Sequence, residues 1–208
     1  GATTDWAVST NWTPTRTTPA ANDILIFPSG TFLVTNPGTT AGQTIGRLQI
    51  DSGADVTFQI TTNNARTLTM TGNAGDELSI ASGGSLKNTV TGTNAGLTYA
   101  FGASSTATVA GRFEMTNTCG CGQPITLNTT NCVMTVTGTL AAGGTLSNNP
   151  WTGVTTTSLI VNGTYEHKYT TTGGTFPTPT WGASSTAAVI GNTSNTGGIT
   201  SFNQNFRN

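Results

Sequence analysis

Charged side chains are scarce in this 208-residue chain: they make up 7% of it, against roughly 25% in an ordinary globular domain. The seven basic residues stand singly, as do the eight acidic ones apart from the adjacent Asp76 and Glu77, and the net charge is -1. No basic stripe is present that could neutralise a row of phosphates, so the sequence argues against a nucleic-acid-binding protein. No run approaches about 18 consecutive apolar residues, so the chain is not predicted to span a membrane.

Metal-ligating and disulfide-forming residues are also few. Cys119, Cys121 and Cys132 are an odd set, so at most one intramolecular pair can close. The residues leave two interpretations open: a staple across the Gly-rich corner, for which Cys121 and Cys132 are the candidate disulfide, or buried thiols. A zinc site needs a fourth ligand, and the single histidine, His167, is distant in sequence. No metal and no cofactor is therefore predicted.

Helical periodicity is missing, and strand-forming residues take its place. No segment has apolar residues at i, i+3, i+4 and i+7. Threonine supplies about a quarter of the chain and suits a pleated surface, whereas the 27 glycines suit corners between short strands. Apolar residues cluster in strand-length runs, which argues against disorder. The composition predicts an all-β chain.

Glycine-centred marks recur along the chain at a nearly constant interval. Three of these marks are a Ser-Gly step that follows an apolar residue, and the other four are Val-x-Gly. In three of the Val-x-Gly marks an apolar residue lies two positions after the glycine: Phe113, Leu140 or Tyr165. Intervals of 23 to 30 residues are typical of one supersecondary unit stacked on the next. We therefore expect a β-solenoid of about seven coils. The marked glycines are Gly30, Gly53, Gly83, Gly111, Gly138, Gly163 and Gly191.

A longer internal match supports the repeat. The six residues 102–107 are identical to residues 182–187, and Phe101 and Val109 correspond to Trp181 and Val189. The offset of 80 residues equals about three coils of ~27 residues. The match therefore predicts that both copies occupy the same place in the solenoid.

The two ends of the chain differ from its middle. Residues 1–22 contain Trp6 and Trp12 in a polar segment and are interpreted as an N-terminal cap, because the end of a stack must cover its apolar column. Residues 23–208 are interpreted as the solenoid. At the other end, Phe202 and Phe206 alternate with polar residues like a coil cut midway, so we expect the solenoid to continue beyond residue 208.

A catalytic function needs clustered carboxylates or a base with cations, and the sequence offers only isolated candidates. Acidic residues near Gly-containing corners commonly bond the local backbone. A polysaccharide lyase or glycosidase stays open as the less favoured alternative, and it requires the carboxylates to converge on one face. The candidates are Asp51, Asp55, Asp76, Glu77, Glu114 and Glu166.

Aromatic residues near the C-terminus are the candidate ligand-binding residues. Tyr165, His167 and Tyr169 alternate with charged residues, so a strand here would place the three rings on one face. With Trp151 and Trp181 they could stack on sugar rings as a carbohydrate-binding module. The alternative is that Tyr165 enters the core as the counterpart of Leu140 and Phe113.

Part of this segment resembles a pattern in large secreted surface proteins of Bacteroidetes. The matching residues are 162–167, 173–182, 184–186, 190–191 and 205–206, and the opening from Trp6 to Asp23 is similar to the start of such repeat proteins. The resemblance implies a right-handed parallel β-helix of an adhesin-like protein at the bacterial cell surface. It also implies export by the type IX secretion system, with its machinery as a partner, and in some members a role in gliding motility.

The favoured hypothesis is therefore a non-catalytic structural or adhesive segment of a large extracellular protein. Its partners would be surface glycans or other cell-surface proteins, which an uncharged Thr/Asn/Ser face could engage through many weak hydrogen bonds.

Overall fold

Short strands follow one another in a three-step order, one strand for each of three sheets. The computed structural model describes residues 5–72, 75–91, 96–117, 125–144, 149–170 and 174–190. Every strand pair within the three sheets is parallel. The chain is thus an all-β parallel β-helix, which confirms the predicted fold class.

The first sheet contains β1 (Ile24–Phe27), β4 (Arg47–Ile50), β7 (Leu78–Ile80), β10 (Ser105–Val109), β13 (Cys132–Val136), β16 (Leu159–Val161) and β18 (Thr180–Trp181). The second contains β2 (Gly30–Thr35), β5 (Ala54–Ile60), β8 (Ser85–Val90), β11 (Arg112–Asn117), β14 (Thr139–Gly144), β17 (Thr164–Tyr169) and β19 (Thr186–Val189). The third contains β3 (Gln43–Ile45), β6 (Ala65–Met70), β9 (Gly96–Phe101), β12 (Ile125–Asn128) and β15 (Trp151–Thr152). A short 3-10 helix spans Ser9–Asn11.

The number of complete coils is smaller than predicted. In the described ranges, the first and second sheets have seven strands each, but the third has five. About five coils therefore have all three strands, against the expected seven. Six of the seven glycine marks counted passages through the corner between the first and second sheets, and that corner is present even where a coil lacks its third strand.

The corner between the first and second sheets explains the Val-x-Gly marks. The Val109 carbonyl accepts the backbone N–H groups of Thr137 and Gly138, at 2.9 and 3.0 Å. The Val136 carbonyl does the same for Asn162 and Gly163 in the next coil, at 2.8 and 3.0 Å. Each coil thus turns against the carbonyl of the one before it, in one repeated geometry.

Glycine is required at this corner because the coils touch there. A Cβ atom on Gly138 would overlap the carbonyl oxygens of Gly111 and Ala110, and one on Gly163 would overlap that of Gly138. At Gly84 the nearest atom would be the Asp51 carbonyl oxygen, at 2.6 Å. The marks at Gly53 and Gly83 have another cause, since their φ angles are +77° and +80°, a region that favours glycine.

Register confirms the first six marks and corrects the last. Ile50, Ile80, Val109, Val136 and Val161 stack one above the next. Phe27, which lies three residues before Gly30, begins this column. At its end the residue is Trp181 rather than Val189, which lies in the second sheet beside His167. Gly191 lies outside the described residues.

The 80-residue match does not mark equivalent positions, so that expectation is wrong. Phe101 ends a strand of the third sheet, whereas Trp181 ends a strand of the first. What the copies share is a local turn. The Ser105 hydroxyl donates to the Gly102 carbonyl at 2.9 Å, and the Ser185 hydroxyl donates to the Gly182 carbonyl at 2.7 Å. The repeated sequence thus specifies a way of turning and is used at two different corners.

Inward side chains form apolar columns along the solenoid. Strand β5 alternates buried and half-buried residues along its length, as a period-2 strand requires. In the second sheet one column runs through Val56, Leu86, Phe113, Leu140 and Tyr165, each with 0% exposure. The predicted equivalence of Phe113, Leu140 and Tyr165 is confirmed.

The N-terminal segment packs on the first coil. The backbone N–H of Trp6 donates to the Thr35 carbonyl at 2.9 Å, and the Trp6 ring meets the Phe58 ring edge-on at 5.8 Å. Trp12 contacts Trp6 edge-on at 5.1 Å, and the Arg16 guanidinium lies 5.8 Å from both indole rings. Trp6 is 2% exposed.

At the other end of the chain, Phe202 and Phe206 lie outside the described residues. Within the described ranges, no helix has the length and apolar character needed to cross a bilayer.

Candidate functional site

The five aromatic candidate residues lie inside the solenoid. Their exposed fractions range from 0% to 8%, and strand β17 alternates half-buried and buried residues so that its rings point inward. Charged residues of this strand take the outward positions, which is why the rings share the buried face. The prediction of a sugar-stacking platform is therefore wrong, and the core interpretation of Tyr165 is confirmed. The five are Trp151, Tyr165, His167, Tyr169 and Trp181.

These rings form one packed cluster. The Tyr165 ring meets the Phe176 ring edge-on at 4.8 Å, and its hydroxyl lies 3.0 Å from His167 Nδ1. His167 and Tyr169 have ring centroids 4.8 Å apart, and the Trp151 indole N–H donates to the Thr175 carbonyl at 2.8 Å. Burial raises the pKa values of Tyr165 and Tyr169 well above the ordinary tyrosine value.

Because Tyr165 is a core residue, its truncation should change stability. We predict that Tyr165→Ala lowers the free energy of unfolding by about 3 kcal/mol, the usual cost of emptying a buried aromatic site. Tyr165→Leu is the matched control, since leucine fills the equivalent position in the preceding coil, and it should cost far less. Chemical denaturation of the three proteins checks this, and equal stability of wild type and Tyr165→Ala would contradict the core assignment.

The third cysteine is also a core residue. Cys132 begins β13, pairs with Ser105, and is a free thiol that is 4% exposed. Burial, with the nearby carboxylates of Glu77 and Asp76, raises its pKa to about 12. Of the two interpretations left open for the cysteines, the buried thiol is the one that fits Cys132, whose side chain faces the core. Cys119 and Cys121 lie outside the described residues.

Three of the candidate carboxylates bond neighbouring groups at corners. Asp51 accepts a hydrogen bond from the Gln49 amide at 2.7 Å, and Asp76 accepts one from the Thr106 hydroxyl at 2.8 Å. Glu77 accepts from the Thr106 backbone N–H at 2.7 Å. None of these three bonds goes to the local backbone, so the turn interpretation does not hold for them: Asp51 bonds a nearby side chain, and Asp76 and Glu77 bond the next coil. In the described ranges, no group of three or more His, Cys, Asp or Glu residues is arranged to hold a metal ion.

The other carboxylates belong to an ion-pair network on the outer surface of the second sheet. Arg112 donates two hydrogen bonds to Glu166, at 3.2 and 2.6 Å, and one to Glu114 at 2.8 Å. Lys168 donates to Glu114 at 3.0 Å. Asp55 pairs separately with Lys87 at 2.8 Å. We call Arg112, Glu114, Glu166 and Lys168 the ion-pair clamp.

The ion-pair clamp passes over a coil of small residues. Ala141 pairs with Glu114 on one side and Glu166 on the other, and it is 0% exposed although it faces outward. Gly143 pairs with Lys168, and a Cβ there would come within 2.6 Å of the Lys168 Cβ. Small side chains in the middle coil thus let charged residues two coils apart meet.

The clamp also shifts the pKa values of Glu114 and Arg112. Burial would raise the pKa of Glu114, but hydrogen bonds from Lys168 and Arg112 outweigh it and lower that pKa below its usual value. The hydrogen bond to Glu166 raises the pKa of Arg112. For Asp55, hydrogen bonds from Lys87 and then Ser85 lower the pKa.

Stability should therefore depend on pH through Glu114. Since its folded-state pKa is lowered, the carboxylate stabilises the fold above its unfolded pKa, and this contribution is lost as the pH falls through the folded value. We predict that thermal unfolding midpoints fall between pH 6 and pH 3, and that Glu114→Gln reduces this fall. Asp51→Asn is the control, because Asp51 contacts an amide. An undiminished pH dependence in Glu114→Gln would contradict the clamp.

The outer surface of the third sheet is different, because the outward residues of its described strands are uncharged. The one charged residue on these strands, Arg66, alternates with the outward positions, and its guanidinium donates to the Asn36 and Gly38 carbonyls at 3.2 and 2.8 Å. One row is Thr67–Thr98–Thr126, stacked in register. The adjacent row is formed by Thr44, Thr69, Ala100, Asn128 and Thr152, one residue from each strand of the sheet. We call these eight side chains the hydroxyl face: Thr44, Thr67, Thr69, Thr98, Ala100, Thr126, Asn128 and Thr152.

The threonines of this face have hydroxyl groups available to solvent. Within the described part of the chain, the hydroxyls of Thr67, Thr69, Thr98 and Thr126 make no hydrogen bond to protein, and all four side chains are half-buried. Neighbouring coils repeat at about 4.7 to 4.9 Å, and alternate residues of one strand repeat at about 6.6 Å. The hydroxyl face is thus a small two-dimensional lattice of uncharged groups.

The outer surface of the first sheet differs from those of the other two sheets. Its outward positions include Ile24, Ile26 and Val133, which are 57%, 49% and 45% exposed. They share the surface with Thr108 and Thr135. The solenoid therefore has three chemically distinct sides: mixed apolar, charge-paired and hydroxyl-bearing.

Comparison with protein-family models, with curated proteins and with solved structures gives no match. The likeness to Bacteroidetes surface proteins stays an expectation from the sequence.

The ion-pair clamp was not predicted, although the sequence contains a signal for it. Lys87, Glu114, Ala141 and Glu166 each lie three residues after a corner glycine, so they form one outward row. Counting every coil from its corner glycine would have placed the charges together. The hydroxyl face had been anticipated only as an uncharged face, without its residues.

Proposed function

We propose that this chain is a non-catalytic structural and adhesive segment of a larger extracellular protein at a bacterial cell surface. The observation that carries the proposal is the contrast between the residues inside the solenoid and those on its outer surface. The described aromatic and cysteine candidates are buried in the core, and the candidate carboxylates bond other protein groups. The outward threonines of the third sheet, by contrast, are uncharged, and four of them have hydroxyls with no protein partner.

The carboxylates argue against glycoside cleavage. A general acid that works near neutral pH needs a raised pKa, and Glu114 has a lowered one. Glu114 and Glu166, the two carboxylates closest to sharing a site, are both bonded to Arg112. We therefore propose that the chain does not cleave polysaccharides, and release of reducing ends or unsaturated products by the wild-type chain would contradict this.

Adhesion would depend on the regular spacing at which the solenoid holds its outer side chains. Each parallel coil is held by backbone ladders to two neighbours, so the stack keeps its outer side chains at fixed spacing and resists bending and proteolysis. Contacts that are weak singly become strong when several form together on a rigid support. Export by the type IX route and a role in gliding remain proposals that rest on the sequence resemblance.

Attachment under flow tests the adhesive part directly. Beads carrying the purified chain would be settled on glass, agarose, cellulose and chitin films, and the flow needed to detach them would be measured. We expect retention on at least one surface above that of beads carrying the heat-unfolded chain. Equal detachment of folded and unfolded chain from every surface would overturn the adhesive proposal.

A further inference from the structure

The lattice of the hydroxyl face restricts the kind of ligand it can hold. Its described outward residues present hydroxyl, methyl and amide groups and no charge, so neither phosphates nor acidic sugars find a counter-ion there. Aromatic, Met and Arg side chains, which are enriched at protein interfaces, do not occur among the eight residues of the face. The complementary partner is an uncharged, hydroxyl-rich surface.

The geometry further favours an extended ligand over a single sugar. Specific sites for small ligands are concave and enclose most of the ligand, whereas this face is one side of a parallel sheet over which no described strand packs. Each threonine can make about one hydrogen bond of modest net value, so useful affinity needs several contacts formed together. A ligand that repeats in two dimensions supplies them.

We propose, resting on the adhesive function above, that the hydroxyl face binds the surface of an insoluble, uncharged polysaccharide of the chitin or cellulose type. Thr67, Thr98 and Thr126 form the central row of contacts, with Thr69 and Asn128 beside them. Soluble oligomers of the same sugars bind far more weakly, because they span only a few positions of the lattice.

Co-sedimentation with chitin powder and with microcrystalline cellulose tests this. The test variant replaces Thr67, Thr98 and Thr126 with valine, which keeps the β-branched shape and removes three hydroxyls. The matched control replaces Thr31, Thr139 and Thr164, three outward threonines of the second sheet, in the same way. Thermal unfolding of both variants establishes that each is folded.

The wild type should sediment with at least one polysaccharide and should do so equally in low and high salt. Loss of three hydrogen bonds should weaken retention of the test variant by about tenfold or more. The control variant should stay within about twofold of wild type, since its hydroxyls lie on another side of the solenoid.

Several results would overturn the proposal. Failure to sediment with either polysaccharide would do so, as would equal retention of test and control variants or full competition by a soluble hexasaccharide. Adsorption to growing ice in place of polysaccharide would assign the face to ordered water instead. Bead attachment to glass or agarose without binding to chitin or cellulose would remove this inference alone, whereas no attachment anywhere would remove the proposed function too.

Discussion

Gly138→Ala should prevent stable folding, with a loss of at least about 4 kcal/mol in the free energy of unfolding, beyond the usual range for one substitution. A methyl group there would overlap the Gly111 and Ala110 carbonyl oxygens. Both carbonyls belong to the backbone of the neighbouring coil, and the Gly111 carbonyl also accepts the Thr139 N–H at 2.8 Å. Relief would require separating two coils that are joined in all three sheets.

Thr137→Ala is the control for this substitution. Thr137 lies at the same corner but is exposed, so its change should stay within about 0.5 kcal/mol of wild type. Denaturant unfolding followed by circular dichroism gives both values. A folded Gly138→Ala protein with near wild-type stability would show that the coils are not in contact at this corner.

Removing one whole coil should leave a folded protein, whereas removing half of one should not. Deleting residues 112–138 joins Gly111 to Thr139, which occupies the same register position as Arg112. Leu140 then stacks on Leu86, and Val161 stacks on Val109, so every apolar column continues. In a solenoid, stability is approximately a sum over coils and their interfaces, so the shortened chain should lose only a share of it.

Deleting residues 112–124 joins Gly111 to Ile125 instead. This moves β12, a strand of the third sheet, into the second, and every later strand shifts by one side. Gly138 and Gly163 then leave their corner. We expect aggregation or loss of cooperative unfolding, measured by sedimentation and calorimetry. Equal damage from the two deletions would contradict a solenoid with this register.

The fold was predictable because one sterically defined corner recurs. Val109, Val136 and Val161 come before glycines that have no room for a Cβ, so the periodicity read from the sequence reports a real contact. The same reasoning failed for residues 102–107 and 182–187. A Ser hydroxyl bonded to a Gly carbonyl stabilises a turn locally, and a local turn does not say which corner it serves.

The candidate site was harder to predict, because inward and outward positions differ by a single residue. Tyr165, His167 and Tyr169 were correctly placed on one face, but the choice of the inner face depends on Tyr165 stacking on Leu140. Arg112 and Glu166 are 54 residues apart, two coils away, and their contact needs the small Ala141 between them. A pair of this kind cannot be recognised within a short segment of sequence, because it shows only when each coil is counted from its corner glycine.

The central claim is that attachment is distributed along the solenoid rather than confined to one site. A scan of whole-coil deletions measured by bead detachment tests it most directly. Deleting residues 85–111 or 112–138 removes one member of the central threonine row each, Thr98 or Thr126. The account predicts that both deletions weaken attachment by comparable factors and that neither abolishes it. If one deletion abolished bead attachment and the other left it unchanged, attachment would depend on a single localised site, and the account would be contradicted.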